Sequence, residues 1–238
     1  LRDLVPPVLL ILGYSLVGDL LERSLVADKD WLMQKIDRIL CFGHDPVVAL
    51  EALISDPLSE WLAFAYVFYA FLLPLLFGAV LAFGRREALR ETSFVITLAF
   101  ALGYVSYVLV PVQGPMFTQQ FSVSLDFYYF GWIKEMFIDR YRVERDCFPS
   151  LHTALSLLAL WLAFRHVRPL GWALLPIVAS IPFACIYLRY HYLTDVLAGF
   201  LYAGAIAWVT VRFVAPRLGS GPRRAVSADA QPAPPAAG

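Results

Sequence analysis

Charge is scarce in this chain. Only 16% of its 238 residues are Asp, Glu, Lys or Arg, and the 19 basic residues are matched by 19 acidic ones, so the formal net charge is zero. That balance gives no basic surface of the kind that binds nucleic acid, so no nucleic-acid partner is expected. Cysteine is also sparse, and Cys41, Cys147 and Cys185 show no metal-ligand spacing. Cys41 and Cys147 would pair in a disulfide only if their loops share an oxidising side. Three unpaired, small apolar residues is the better reading. No internal repeat is visible, which removes the usual sequence sign of an inverted-repeat transporter.

What the chain has instead is apolar surface. Hydrophobic residues make up 60% of it, against roughly 45–50% in soluble domains. The mean hydropathy is +0.66. Uncharged runs of bilayer-spanning length predict six transmembrane helices: Leu4 to Gly18, Trp61 to Gly84, Thr92 to Pro111, Cys147 to Phe164, Pro169 to Leu188 and Thr194 to Val211. Pro74, Pro176 and Pro182 interrupt spans, which membrane helices tolerate. The expected class is an all-α, polytopic membrane protein, with a membrane-embedded domain over residues 1–215. The Pro/Ala/Gly/Ser-rich tail, 216–238, is expected to be disordered and cytoplasmic. The chain opens at Leu1 without methionine, which leaves room for a missing N-terminal piece. Its first apolar run lacks a small-residue cleavage site and reads as retained.

Two connections are long. In residues 19–60, Trp31, Leu32, Ile36, Ile39 and Leu40 have helix-like spacing and predict a helix lying in the membrane interface. Residues 112–146 carry Lys134, Arg140, Arg142 and Arg145 among aromatics. The short connections fix the orientation, because basic residues there mark the cytoplasmic side. Arg85, Arg86 and Arg90, then Arg165 and Arg168, then Arg212, Arg217, Arg223 and Arg224 fall on one side of a six-span chain. The end of the third span and the starts of the fourth and sixth then share the opposite, extracytoplasmic face of a plasma or inner membrane.

That face collects the costly residues. Pro149-Ser150-Leu151-His152-Thr153 opens the fourth span, and Arg189-Tyr190-His191-Tyr192-Leu193-Thr194-Asp195 opens the sixth. Ionisable groups at such positions pair with one another or face a site. His191 and Asp195 are four residues apart, so on a helix they share a face and the carboxylate can orient the imidazole. Ser150 is in position to N-cap the fourth span. The first turn behind it presents backbone N–H groups and a positive dipole end, which suit a phosphate. Arg189 adds a planar, permanently charged fork. His191 is the candidate nucleophile, Asp195 its partner, and His152 the candidate general acid and base.

Each residue also has a structural reading. A lone interfacial histidine is more often a polar anchor, His191 and Asp195 can be a simple i,i+4 pair, and Arg189 can snorkel to headgroups. His44 and His166 read as structural. A metal site from His152, His191 and Asp195 ranks low for want of further ligands. The order of the residues and their shared face favour catalysis.

These residues resemble the second and third signature motifs of the type 2 phosphatidic acid phosphatase superfamily, in Pro149-Ser150-Leu151-His152 and Arg189-x-His191-x3-Asp195. The resemblance implies a six-helix core and metal-independent phosphohistidine chemistry, with no cofactor. It assigns His191 as nucleophile, Asp195 as its partner, His152 as acid/base and Arg189 as phosphate ligand. Within the superfamily, Tyr107 to Pro115, Ile36-Asp37-Arg38 and Gly43-His44-Asp45-Pro46 look like the inositol phosphorylceramide synthase branch. That branch shares the Leu between Ser150 and His152. The family's first motif, Lys-x6-Arg-Pro, has no match before Pro149. Lys134 and Arg140 lack its spacing, and Leu188 stands where Ser is usual. Arg140, Arg142 or Arg145 would have to supply the missing charge.

A phosphodiester headgroup is a monoanion and needs fewer cations than a phosphomonoester. The expected function is therefore a lipid phosphotransferase with a phospholipid or lipid-phosphate substrate, and with Ser150, Arg189 and Arg145 binding phosphate. A lipid phosphomonoester phosphatase is the alternative. A non-catalytic transporter or scaffold is the competing class.

Overall fold

The computed structural model describes residues 2–130 and 143–219. Among them the regular structure is helical, and the only strand-like pairing is an isolated bridge between Val112 and Asp146. Lys134, Arg140, Arg142 and tail residues 220–238 lie outside the described residues. The start of the expected tail, 216–218, is still helical, within Ala215–Leu218.

Among the described residues, five helical stretches are long and apolar enough to cross a membrane. Arg2–Glu22 joins α1 (Val5–Leu12) to α2 (Tyr14–Glu22) through Gly13, and so runs past the expected end at Gly18. The others are α4 (Asp56–Phe83), α5 (Arg86–Leu109), α7 (Arg168–Tyr187) and Leu193–Leu218, whose first part is α8 (Leu193–Val209). Their outward faces carry bulky apolar residues such as Phe71, Phe83, Leu102, Trp172, Leu201 and Trp208. An exposed apolar belt of this kind suits a lipid surround.

The expected fourth span is the exception. Hydropathy placed its start at Cys147, but the helix, α6, runs only from Leu151 to His166, 16 residues. At 1.5 Å per residue that is roughly 24 Å, short of a hydrocarbon core of about 30 Å. Among the described residues there are five candidate spans where the sequence predicts six. The physical reason lies in the position of α6, which packs against α4, α5, α7 and α8. Ala154, Ser156, Ala159 and Ala163 are all fully buried, and such small residues let neighbouring helices approach closely. A helix sheathed by protein needs an apolar surface all round but not the full length of a lipid-facing span.

The helix predicted in the long first connection is α3, Asp30–Leu40. Trp31, Ile39 and Leu40 point outwards, as an interfacial helix requires. Its inward stripe is Asp30, Met33 and Asp37, so two carboxylates enter the protein. At the arginine-rich end, buried Glu91 of α5 accepts a hydrogen bond from Arg165 Nε at 2.7 Å. His166 Nε2 stands 3.4 Å from the same carboxylate. That cluster ties α5 to α6.

Candidate active site

Motif by motif, the chain is fastened before it presents its chemistry. Ser150 is the N-cap of α6, and its Oγ accepts from the Thr153 amide at 3.3 Å. Its own amide donates to the Asp195 carbonyl at 3.0 Å, so one backbone bond joins the two motifs. The helices that carry them can approach this closely because of Gly199. A Cβ there would lie 2.7 Å from Ser150 O and 3.0 Å from Thr153 Cβ.

The second motif follows a tight stop at the end of α7. The Tyr190 amide donates to Cys185 O and the Arg189 amide to Ile186 O, the paired bonds of a Schellman cap. The residue that must turn left-handed in this cap is Arg189, at φ 68°. Glycine is the usual residue at this position, and a side chain there costs of order 1 kcal/mol or more.

His191 follows, 3% exposed. Its Nδ1 lies 3.6 Å from Asp195 Oδ2. Asp195 is fully buried, and the same Oδ2 accepts from the Tyr192 amide at 2.9 Å, which fixes the carboxylate on the imidazole side. His152 comes in from the first turn of α6, with its ring centre 5.6 Å from that of His191. Aromatics of α4 hold it in place, since it stacks on Tyr66 at 4.7 Å and leans on Tyr69 at 4.3 Å. Tyr66 in turn stacks on Tyr190 at 4.5 Å. The structure thus gathers Ser150, His152, His191 and Asp195 into one cluster, with Ser150, His191 and Asp195 buried and His152 half-buried.

The two arginines sit differently. Arg189 reaches away to Glu51, at 3.2 Å, and to the Val123 carbonyl at 2.5 Å, with its guanidinium 4.0 Å over the Phe121 ring. Burial lowers its pKa from the ordinary arginine value, and Glu51 opposes that shift. Hydrogen bonding from the Ser122 hydroxyl, helped by the amides of Ser122 and Val123 and by Arg189, holds the Glu51 carboxyl below its usual range. Arg145, also left-handed at φ 72°, spends its donors on Asp28 at 2.6 Å and on the carbonyls of Leu21, Ser24 and Val26. It clamps the end of α2 and does not turn towards the histidines. The neighbouring Asp146 accepts from the Tyr14 hydroxyl.

Three supporting residues were missed by sequence reasoning. Asp37 accepts from the amides of Leu193 at 2.8 Å and Thr194 at 2.7 Å, and from the Thr194 hydroxyl, and so caps α8 from 156 residues away in sequence. Burial raises its pKa from the ordinary aspartate value, and those hydrogen bonds pull against the rise. Asp30 accepts from the amides of Gln113 and Gly114 and from the Tyr192 hydroxyl at 3.1 Å. Cys147 is 1% exposed, and its Sγ donates to the carbonyls of Gln113 and Tyr190. None of the three cysteines is in a disulfide. Asp37 stands in the Ile36-Asp37-Arg38 stretch of the resemblance but without a role there, and Asp30 shows only as a carboxylate seven residues before it on the α3 stripe.

Beyond Tyr192 lies a cavity of about 520 Å³, lined among others by Gln34, Arg38, His44, Asp45, Thr118 and Gln119. The Tyr192 hydroxyl bonds to two of these, Gln34 at 3.2 Å and Thr118 at 2.5 Å. The cavity therefore adjoins the hydroxyl end of Tyr192, the residue that follows His191 in sequence.

No curated protein and no solved structure matches the chain. The family model described as the PAP2 superfamily matches residues 31–209, from α3 through the end of α8. That span holds every residue of the cluster and exceeds half the chain. The protein belongs to the PAP2 superfamily, an integral membrane member of a group of lipid phosphatases and phosphotransferases.

Proposed function

We propose that the protein is a phosphotransferase that moves a phospho-headgroup between lipids through a phosphohistidine on His191. The observation that carries this reading is the cluster itself, with His191 against Asp195 at 3.6 Å and His152 facing it at 5.6 Å between ring centres. Asp195 fixes the imidazole with Nδ1 towards the carboxylate, which leaves Nε2 to attack phosphorus. His152 gives its proton to the departing alcohol oxygen. It then takes the proton of the acceptor alcohol, which attacks the phosphohistidine and frees His191. No step calls for a metal. The phosphate sits at the start of α6, where the helix dipole favours an anion. Arg189 joins it by exchanging Glu51 for a phosphate oxygen.

Transfer is favoured over monoester hydrolysis by the charge available. Among the described residues, Arg145 is committed to Asp28 and three carbonyls, and Arg189 is balanced by Glu51. That suits a monoanionic diester better than a near-dianionic monoester. The polar cavity beside Tyr192, lined by Gln34, Gln119, Asp45, Arg38 and His44 among others, suits a hydroxyl-rich headgroup, in keeping with an inositol phosphorylceramide synthase-like reaction. On this reading α6 is the sixth crossing element, and the site opens on the extracytoplasmic face.

The test is a mass-spectrometric product assay on protein purified in detergent. It would offer mixed phospholipids and lipid phosphates with diacylglycerol and ceramide acceptors, and use His191→Ala as control. The expected result is a new lipid carrying a moved headgroup, absent with His191→Ala. Free phosphate from a monoester with no new lipid would overturn transfer in favour of hydrolysis.

A further inference from the structure

Cys147 shares its surroundings with the catalytic pair. One ligand atom from each of Cys147, His191 and Asp195, namely Sγ, a ring nitrogen and a carboxylate oxygen, lies within 4.8 Å of the other two. The residues are 1%, 3% and 0% exposed. They come from the segment before α6, the turn after α7 and the first turn of α8, so the fold brings the set together. A thiol, an imidazole and a carboxylate form the donor set of borderline-soft divalent cations, Zn²⁺ above all.

The distances are close to those a metal would impose. Bonds of about 2.0–2.3 Å in a tetrahedral site hold the ligand atoms roughly 3.3–3.7 Å apart. His191 and Asp195 already stand at 3.6 Å. The thiol has to close by about an ångström, a rotamer-scale adjustment. Asp195 Oδ2 is taken by the Tyr192 amide, whereas Oδ1 is buried and has no hydrogen-bond partner among the described residues. The carboxylate thus keeps lone pairs for a cation, on Oδ1 or beside the Tyr192 bond on Oδ2, the oxygen that stands 3.6 Å from His191 Nδ1.

We propose that Cys147, His191 and Asp195 form a binding site for a divalent cation of the Zn²⁺ class, and that its occupancy switches the enzyme off. The cation displaces the thiol proton to solvent, bonds to the sulfur, the imidazole and the carboxylate, and keeps a water in the fourth position. No electron is transferred. Inhibition follows whichever ring nitrogen is used. Coordination through Nε2 consumes the nucleophilic lone pair, and coordination through Nδ1 forces the proton onto Nε2. The inhibitory half rests on reading His191 as the nucleophile, whereas the binding half stands without it.

Co²⁺ is the probe, titrated into the detergent-purified full chain under reducing conditions, because thiolate ligation to Co²⁺ gives a near-ultraviolet charge-transfer band. One equivalent should bind and produce that band. The band should vanish in Cys147→Ser and Cys147→Ala, provided each elutes as a monodisperse protein, and persist in Cys41→Ser and Cys185→Ser. His191→Ala should weaken binding by about tenfold or more. Absence of the band from the wild type, or its survival in both Cys147 variants, overturns the site. A zinc titration of turnover separates the two halves. Loss of turnover, reversed by a chelator, supports the inhibitory half. Stoichiometric binding with unchanged turnover overturns it, along with the nucleophilic role of His191, and leaves the metal site standing.

Discussion

Two glycines of α8 should respond in opposite ways to the same substitution. At Gly204 an added Cβ meets nothing within 4 Å. Gly204→Ala should therefore gain helix propensity alone, stabilising by about 1 kcal/mol. At Gly199 the same Cβ would lie 2.7 Å from Ser150 O and 3.0 Å from Thr153 Cβ. The oxygen belongs to the first turn of α6, where it accepts from the Ala154 amide at 3.0 Å, so it cannot simply rotate away. Relief requires α6 to move off α8 by several tenths of an ångström, and overpacking of this kind costs roughly 1–3 kcal/mol. The clash offsets or outweighs the propensity gain, for a net loss of up to about 2 kcal/mol. His152 rides on that turn, and misplacement approaching 1 Å costs up to about 100-fold in rate. Thermal unfolding in detergent and headgroup-transfer turnover should be measured side by side. Gly204→Ala should be at least as stable as the wild type and fully active, whereas Gly199→Ala should lose stability and about 10- to 100-fold in rate. A Gly199→Ala protein that matches Gly204→Ala in both would refute the proposed helix contact as the device that registers the two motifs.

Asp37→Ala leaves two amides and a hydroxyl at the start of α8 without their acceptor, and should cost about 1–3 kcal/mol. Turnover should fall with it, and Asp37→Asn, which keeps one acceptor oxygen, should recover part of both in the same two assays. Arg189→Gly relieves a left-handed backbone, so the fold should survive at near wild-type stability while turnover collapses; retained turnover would make Arg189 structural. Glu51 has a depressed pKa, so its contribution to holding residues 122–123 is fully present above the ordinary carboxylate value of about 4.3 and is lost as pH falls through its lower folded value. Hydrogen exchange at the Ser122 and Val123 amides, corrected for intrinsic rates, should show a loss of protection in that acidic window. The step should be missing in Glu51→Gln.

The legible part of the site was its local part. Ser150, His152, His191 and Asp195 announce themselves through helix-start chemistry and an i,i+4 spacing, both carried by a few consecutive residues. Their meeting follows from the order of the spans. What was hidden depends on long-range packing. The pattern of α3 was read from its outward stripe of Trp31, Ile39 and Leu40, because apolar spacing is the strongest periodic signal in a helix. The working face is the opposite one, with Asp30 and Asp37. Cys147 looked inert because its spacing to any other ligand in sequence is long. Arg145 and Arg189 both read as phosphate ligands in the sequence, yet a clamp on carbonyls and an ion pair to Glu51 differ only in tertiary partners. Hydropathy likewise could not tell a helix buried by protein from one facing lipid, which is why α6 was expected to be longer than it is.

The central claim is that His191 carries the phosphoryl group between donor and acceptor. It is tested most directly by quenching the enzyme in alkali during turnover of a lipid donor labelled in its phosphate, then locating the label by peptide mass spectrometry. The account predicts an acid-labile, alkali-stable adduct on the peptide containing His191. It should be absent from His191→Ala and should decay more slowly in His152→Ala. Turnover that proceeds at the wild-type rate in His191→Ala, or an adduct on any other residue, would contradict it.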